Sequence, residues 1–198
     1  MWELLIGLGC CLGMAGTLWG YLKWYKKKYH NNTDPHSLSS TFYKTGWKFR
    51  VLLISLALWM VYPVLLGDGI YTSGGWMYYA PYTLISWSKV AYAIAMGGII
   101  GVALNAYGNW PNENRAHVLC ASTIASVGAI AGSVLRKEWY IGVVVWLAWL
   151  LYYVWKNYKN NKAGNPNAWG LYIELVALYS TPSCLAIYIL LNYFFLAK

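Results

Sequence analysis

The stretch that decides the fold is His117–Leu135, HVLCASTIASVGAIAGSVL. A helix of about 19 residues rises roughly 28 Å, close to the ~30 Å hydrocarbon core of a bilayer. Membrane helices associate through close packing and interhelical hydrogen bonds, so faces of small residues favour their association. We therefore expect a central membrane helix surrounded by bulkier ones, with the alternative that its hydroxyl groups line a polar cavity. At helical spacing the small residues form two neighbouring rows: Ala121, Ala125, Gly128 and Gly132, then Ser122, Ser126, Ala129 and Ser133.

The composition of the whole chain is that of a membrane protein. Of its 198 residues, 59% are hydrophobic and 11% are charged, whereas soluble domains carry about 25% charged residues. Many of the 13 Trp and 19 Tyr residues lie near the ends of apolar runs, as in the aromatic belts at membrane interfaces. The length leaves room for one membrane domain, residues 1–198.

Apolar runs separated by polar turns predict an all-α bundle of six transmembrane helices. We interpret the first run as a retained helix and not as a signal peptide, because its Lys residues follow it instead of preceding it. The fifth run is bulky on all sides, which suits a helix that faces lipid. The loop between the second and third runs is expected at the interface, with a re-entrant flap as the alternative. The six segments are at about 2–25, 47–66, 84–106, 117–135, 139–155 and 168–196.

The formal charge of +9 does not indicate nucleic acid, because the basic residues flank apolar runs and form no basic face. Basic residues favour the cytoplasmic side of a membrane, and six crossings bring most of them to one side. We therefore predict that both termini lie on the non-cytoplasmic side. Four Lys residues that follow the first helix are expected to contact lipid headgroups: Lys23, Lys26, Lys27 and Lys28.

Glycines spaced by four residues predict close helix–helix contacts. Three segments carry such a pair, which indicates that they pack together: Gly9 and Gly13, Gly97 and Gly101, and Gly128 and Gly132. Prolines predict two kinks, at Pro63 and Pro182, because each removes a backbone hydrogen bond from its helix. Other membrane subunits or further copies of the chain are the partners that this packing favours.

Charged groups inside a membrane are costly and point to function, and Glu174 in the sixth segment is the best candidate. It either faces inward or bonds at the interface to Tyr, Trp or a Lys of the adjacent loop. Lys89 either reaches toward the interface or serves as the counter-ion of an acid. Asn105 and Thr181 are further polar candidates, and His117 is expected to cap the fourth segment.

The sequence contains no arrangement that predicts catalysis. No Ser/His/acid set, nucleotide loop, haem pair or metal motif is recognisable, and the four Cys residues include no CxxC. We therefore predict neither a cofactor nor a metal.

One family resemblance exists. The run LLIGLGCCLGMAGTLWGYLKWYKKK, with TGW beyond it, and LISWSKVAYAIAMGGIIGVALNAYGNWPNE resemble the C-terminal part of membrane acyltransferases of the nose-resistant-to-fluoxetine (acyltransferase-3) type. That resemblance covers roughly residues 4–115. The family's N-terminal helices, which hold its catalytic His, have no counterpart here, so the resemblance implies a truncated, non-catalytic relative with no catalytic residue carried over.

Three functions follow from these patterns. The first is a non-catalytic structural or accessory subunit of a membrane assembly. The second is a small-solute or ion transporter or channel, with the polar groups of segments three, four and six along its path. The third is membrane acyl transfer by a degenerate relative of the acyltransferases.

Overall fold

The computed structural model of the chain is a helical bundle. It describes residues 2–30, 33–66, 77–80, 83–105, 117, 119–135, 139–164, 168–191 and 194. A 3-10 turn, Ser39–Thr41, precedes the second helix, and π-helical turns follow the third helix, at Tyr62–Leu66, and precede the fifth, at Leu119–Ala125. The helices are α1 (Trp2–Tyr29), α2 (Phe42–Thr45), α3 (Trp47–Val61), α4 (Trp87–Leu104), α5 (Ser126–Val134), α6 (Trp139–Lys162) and α7 (Trp169–Leu191).

Two short strands interrupt the helical pattern between α3 and α4. β1 (Met77–Ala80) and β2 (Thr83–Ser86) pair antiparallel, with Met77 opposite Ser86. The bundle is all-α as predicted, this hairpin lies between two of its helices, and the third segment begins at Trp87 instead of residue 84. The expected interfacial loop or re-entrant flap also covers residues 67–76, which lie outside the described residues.

Other segment boundaries differ from prediction at polar ends. α1 and α6 continue to Tyr29 and Lys162, beyond the predicted ends at 25 and 155, because basic and amide side chains do not stop a helix that leaves the membrane. α2 lies within a stretch predicted to be a polar loop. It ends at Gly46, whose φ of 53° favours glycine, and α3 starts immediately afterwards.

The two prolines at the predicted kinks, Pro63 and Pro182, differ in their surroundings. Pro63 lies in the π-helical turn that follows α3, so the second segment changes its winding near its end. Pro182 lies inside α7 and is buried. Pro182 has no amide hydrogen to donate to the carbonyl of Leu178, which therefore lacks its usual helical donor.

The longer helices form a ring in the order of the chain. α1 packs on α3, α3 on α4, α4 on α5 and on the π-helical turn before it, α5 on α6, α6 on α7, and α7 on α1. α5 also contacts α7. The first and last helices of the ring are thus neighbours, and the ring closes around an interior.

The expected central helix is a member of this ring and is not surrounded by the others. Val127 and Ile130 of α5 are 56% and 43% exposed on its outer face. The small residues of this stretch instead allow close approach along its inner and lateral faces. Among the four longest apolar helices α7 is the most deeply packed, with half of its most apolar stretch buried, whereas only 11% of the corresponding stretch of α6 is buried. The bulky α6 lies outermost, as its composition predicts.

Ser133 joins four helices at one end of the bundle. Its hydroxyl donates to the Ala129 carbonyl (2.8 Å) and accepts from Trp146 Nε1 (3.1 Å), and Tyr92 Oη lies 3.0 Å away. The Ser133 carbonyl accepts from the hydroxyl of Tyr188 (2.7 Å). Because lipid offers no hydrogen-bond partners, such groups must be satisfied within the protein, and here they connect α4, α5, α6 and α7.

Hydrogen bonds also fix the direction of α4 and α5. Ser88, at the start of α4, donates to the carbonyl of Gly132 near the end of α5 (2.6 Å). His117, which precedes the π-helical turn, has its Nε2 3.1 Å from Ser39 Oγ in the loop between α1 and α3. The two segments therefore run antiparallel between the two ends of the bundle.

Four helical segments are long and apolar enough to cross a membrane: Leu4–Tyr29, Trp47–Val64, Trp139–Lys162 and Trp169–Leu191. Ser88–Leu104 and Leu119–Val134 are apolar but shorter. The chain is thus a helical protein with four candidate membrane spans among the residues that the structure describes.

The glycines at predicted helix contacts divide into two groups. An added Cβ would meet the Trp59 ring at Gly13, Cys120 Sγ at Gly101, the backbone of Ala95 and Ala91 at Gly128, and the Tyr92 ring at Gly132, in each case at 2.9 Å or less. At Gly9 and Gly97 it would meet nothing within 4 Å. Gly98, beside Gly97, makes the closest approach between α4 and the π-helical turn.

Replacing Gly98 by alanine tests that approach. A Cβ at Gly98 would lie 2.4 Å from the backbone nitrogen of Ala125, so the two helical segments would have to separate. We expect G98A to destabilise the protein by about 1–3 kcal/mol, the usual cost of overpacking, measured as a lower thermal midpoint in detergent. Gly97→Ala is the matched control and should be neutral or up to about 1 kcal/mol more stable, because alanine favours helix. Equal losses in both variants would contradict this packing.

Candidate functional site

A cavity inside the ring is the main candidate site. About 70 Å³ of its interior is open to the centres of water-sized molecules. Its wall is mostly apolar, with Ala95, Ile99 and Val102 contributed by α4 and Met14 and Phe49 by α1 and α3. The stretch 117–135 supplies four small wall residues: Ala121, Ala125, Ser126 and Ala129.

Glu174 of α7 lies at the polar end of this cavity. One carboxylate oxygen accepts a hydrogen bond from the backbone amide of Leu38, and the other accepts one from the hydroxyl of Ser39 (3.3 Å). Glu174 therefore faces inward. Its partners lie in the loop between α1 and α3, far along the chain, and are not the Tyr, Trp or adjacent-loop Lys that the interfacial alternative requires.

His117 is the third member of this polar group. The Ser39 hydroxyl donates its only hydrogen to Glu174, so the 3.1 Å contact with His117 requires Nε2 to carry a hydrogen and donate to Ser39 Oγ. His117 thus binds the loop that holds Glu174 rather than serving only as the predicted cap of its own segment. The order of donation runs from His117 through Ser39 to the carboxylate.

Thr181 and Ser126 line the cavity farther from Glu174. The Thr181 hydroxyl donates to the carbonyl of Ala177 (2.9 Å), and the Ser126 hydroxyl donates to the carbonyl of Ala121 (2.8 Å). Seven residues separate Glu174 from Thr181, so the cavity follows α7 for roughly 10 Å. Each hydroxyl oxygen keeps lone pairs available to a molecule in the cavity.

The loop that carries Ser39 is itself held firmly. Ser37 and Ser40 cap the turn reciprocally, each hydroxyl accepting from the other's amide (3.0 and 3.3 Å), as in a capping box. Leu171 of α7 donates its amide to the carbonyl of His36 (2.7 Å). Tyr21 Oη of α1 lies 2.7 Å from Thr41 Oγ1. This loop therefore bridges α1 and α7.

Asp34 forms a second polar cluster beside the cavity, at the end of the bundle where α1 and α6 finish. Its carboxylate is 2.8 Å from Lys26 Nζ and 3.0 Å from Lys156 Nζ, and it accepts a 2.6 Å hydrogen bond from the Tyr172 hydroxyl. The Asp34 side chain is 8% exposed. Burial raises the pKa of Asp34, but the bonds from Lys26 and Tyr172 and the charge of Lys156 outweigh it and lower the pKa to about 2.

Sequence reasoning did not single out Asp34, Ser39 or the Leu38 amide. One feature of the sequence could have indicated Asp34 as an ion-pair partner, because it is the single acidic residue directly after the Lys-rich end of α1. Lys26, which was expected to contact lipid headgroups, forms an ion pair with Asp34 within the protein. Lys23, Lys27 and Lys28 are exposed, with Lys23 over the Trp19 ring and Lys28 over the Trp24 ring.

The remaining predicted polar residues lie away from the cavity. Asn105 ends α4 and donates its side-chain amide to the carbonyl of Gly101 (2.8 Å), which satisfies the end of that helix. Lys89 is half-buried near the start of α4 and does not line the cavity. The structure thus brings Glu174, His117 and Thr181 to one region and leaves Asn105 and Lys89 outside it.

The cavity offers one carboxylate, hydroxyl oxygens and an apolar wall. Among the residues that the structure describes, no group of three or more His, Cys, Asp or Glu side chains could hold a metal ion. The four cysteines are free thiols, and none of them lines the cavity.

Replacing Asp34 by asparagine tests the second cluster. The lowered pKa means that ionised Asp34 stabilises the fold above its unfolded pKa of about 3.9, and that this contribution of about 2 kcal/mol is lost as pH falls toward 2. We expect D34N to unfold at a lower temperature than the unmodified chain at pH 7. The difference between the two proteins should shrink as pH falls from about 4 to about 2. A pH-independent difference would contradict the role of the Asp34 charge.

Comparisons of this chain with protein-family models, curated protein sequences and solved structures find no match.

Proposed function

We propose that this chain is a multi-pass membrane protein that binds a small solute in the cavity beside Glu174 and passes it across the bilayer. The observation that carries this proposal is a carboxylate at the end of a cavity inside a bundle of apolar helices. A charged group inside a membrane is costly and is retained mainly where it serves binding or conduction. Residues of the third, fourth and sixth predicted segments meet around this cavity, although the third contributes apolar side chains and not its polar residues Lys89 and Asn105.

The proposal includes six membrane crossings. Ser88–Leu104 and Leu119–Val134 are short for a span, but each reaches from the Ser133 cluster toward the end that holds Ser39. Shorter spans are accommodated by local thinning of the bilayer. Six crossings leave the Lys-rich end of α1 and the end of α6 on the cytoplasmic side, where basic residues are favoured, and both termini on the other side.

Labelling of single cysteines tests the six-span topology. In a chain without its native cysteines, a cysteine at Lys27 and one at Asn112 should react from the same, cytoplasmic side of sealed vesicles. A cysteine at Trp2 should react only from the opposite side. If the cysteine at Asn112 reacts from the same side as the one at Trp2, α4 and α5 do not both cross and the six-span proposal is wrong.

Solute flux through proteoliposomes tests the function. Ala129 lines the cavity and is buried, so Ala129→Leu should fill the space and lower flux at least tenfold. Stopped-flow light scattering would follow ethylammonium chloride at pH 6, urea and glycerol, with Gly97→Ala as a control outside the cavity. Flux no faster than in protein-free liposomes for all three solutes would contradict the proposal.

A second candidate function is the structural or accessory subunit, and the outer face of α1 favours it. A Cβ added at Gly9, Gly16 or Gly20 would meet nothing within 4 Å, so a helix of a neighbouring subunit can approach this face closely, as small residues allow in membranes. The mass of the particle purified in mild detergent distinguishes the two functions, because an accessory subunit co-purifies with its assembly. Acyl transfer by a degenerate relative remains the third proposal and rests on the sequence resemblance alone.

A further inference from the structure

We infer that the solute held beside Glu174 is a small organic cation with a short apolar body, of the class of the primary alkylammonium ions. This inference rests on the proposed function, because it names the class of solute that the same cavity takes. It follows from three properties of the wall: where its hydrogens point, where its charge lies and how large the space is.

The hydroxyl and amide hydrogens of the cavity wall already form hydrogen bonds to acceptors of the protein. The Thr181 and Ser126 hydroxyls donate to the carbonyls of Ala177 and Ala121. The Ser39 hydroxyl donates to Glu174, and the Leu38 amide does the same. What remains for a solute is a set of lone pairs on oxygen, so the wall accepts hydrogen bonds and has few to give.

The backbone of α7 also has a carbonyl without its usual helical donor in a residue that lines the cavity. Leu178 lines the cavity, and the residue four positions later is Pro182, which cannot donate to the Leu178 carbonyl. Among the described residues of the wall, an anion or a solute that only accepts hydrogen bonds would find donors that already serve protein acceptors. A solute that brings N–H groups would satisfy several of these oxygens at once.

The charge of the site has the sign that a cation requires. Within the described part of the chain, no basic side chain forms an ion pair with the Glu174 carboxylate, and the ion pairs of Lys26 and Lys156 go to Asp34. The Leu38 and Ser39 donors are dipoles and add no charge, so the site is negative whenever Glu174 is ionised. Charged groups inside membranes are generally paired, and a bound cation would supply the partner.

The volume and the apolar wall limit the size of the cation. A water molecule needs about 15 Å³ of space open to its centre, so the 70 Å³ of this cavity holds about five water-sized bodies. Ala95, Ile99 and Ala129 surround most of that space. An ammonium group beside Glu174 with two or three carbon atoms against these side chains fits both the volume and the chemistry.

The test compares ethylammonium with ethanol, its neutral analogue of the same number of heavy atoms. Each is titrated calorimetrically into the full chain in lipid nanodiscs at pH 7, with empty nanodiscs as the blank. We expect ethylammonium to bind at least tenfold more tightly than ethanol. Glu174→Gln, which keeps the size of the side chain, should weaken ethylammonium at least tenfold, and Thr181→Val should weaken it about threefold by removing one acceptor oxygen.

Ser183→Ala is the matched control on α7. The Ser183 hydroxyl bonds to Trp149 and to the carbonyl of Tyr179, and Ser183 does not line the cavity, so this variant should keep the ethylammonium affinity within twofold. Every variant is first required to match the elution volume of the unmodified protein.

The outcomes separate the two proposals. Equal binding of ethanol and ethylammonium, or unchanged ethylammonium binding in E174Q, overturns the inference of a cation and leaves a neutral-solute site standing. If neither compound binds the unmodified chain and no solute crosses the proteoliposomes, the proposed function fails together with the inference.

Discussion

The fold depends on the hydrogen bonds that satisfy the polar groups of residues 33–41, a loop that lies beside apolar helices. Residues 33–41 carry amides, hydroxyls and a carboxylate that need partners, and α7 supplies several of them. Glu174 accepts from Leu38 and Ser39, Tyr172 donates to Asp34, and the Leu171 amide donates to the carbonyl of His36. Near lipid, each group left without a partner would cost several kcal/mol. The position of α7 is therefore set by hydrogen bonds at its first two turns and by packing along the rest.

Small residues then determine how closely the ring can close. Gly98 and Gly128 let α4 and the 119–134 segment approach until backbone meets backbone, and Gly142 lets α6 approach the carbonyl of Ser133. Close approach removes most of the interior space but leaves the region beside Ala125 and Ala129, whose methyl groups do not fill it. The cavity is thus a consequence of the same small side chains that hold the helices together, and the polar loop places a carboxylate at its end.

The helices themselves could be predicted, because apolar runs of membrane length have few alternatives. Their rotation could not. Most of these helices are apolar on all sides, so no polar stripe indicates which face turns inward, and for that reason Gly97 was singled out although its neighbour Gly98 makes the contact. Glu174 could be recognised as unusual from its surroundings, but its partners Leu38 and Ser39 could not, since nothing local indicates a contact so distant along the chain. The role of Asp34 could not be predicted for the same reason. Its partners Lys156 and Tyr172 belong to helices much later in the chain.

The closure of the ring between α1 and α7 has a consequence for biosynthesis. A chain made from its N-terminus presents the 33–41 loop early, whereas the carboxylate that accepts from Leu38 is 136 residues further on. Until α7 has been made, Asp34 lacks Tyr172, the Leu38 amide lacks Glu174, and the interior has no wall on that side. The ring therefore closes only with α7, and until then the polar loop lacks these partners. The hydrogen bond from the Leu38 amide to Glu174, which positions the carboxylate in the folded protein, thus forms only when α7 closes the ring.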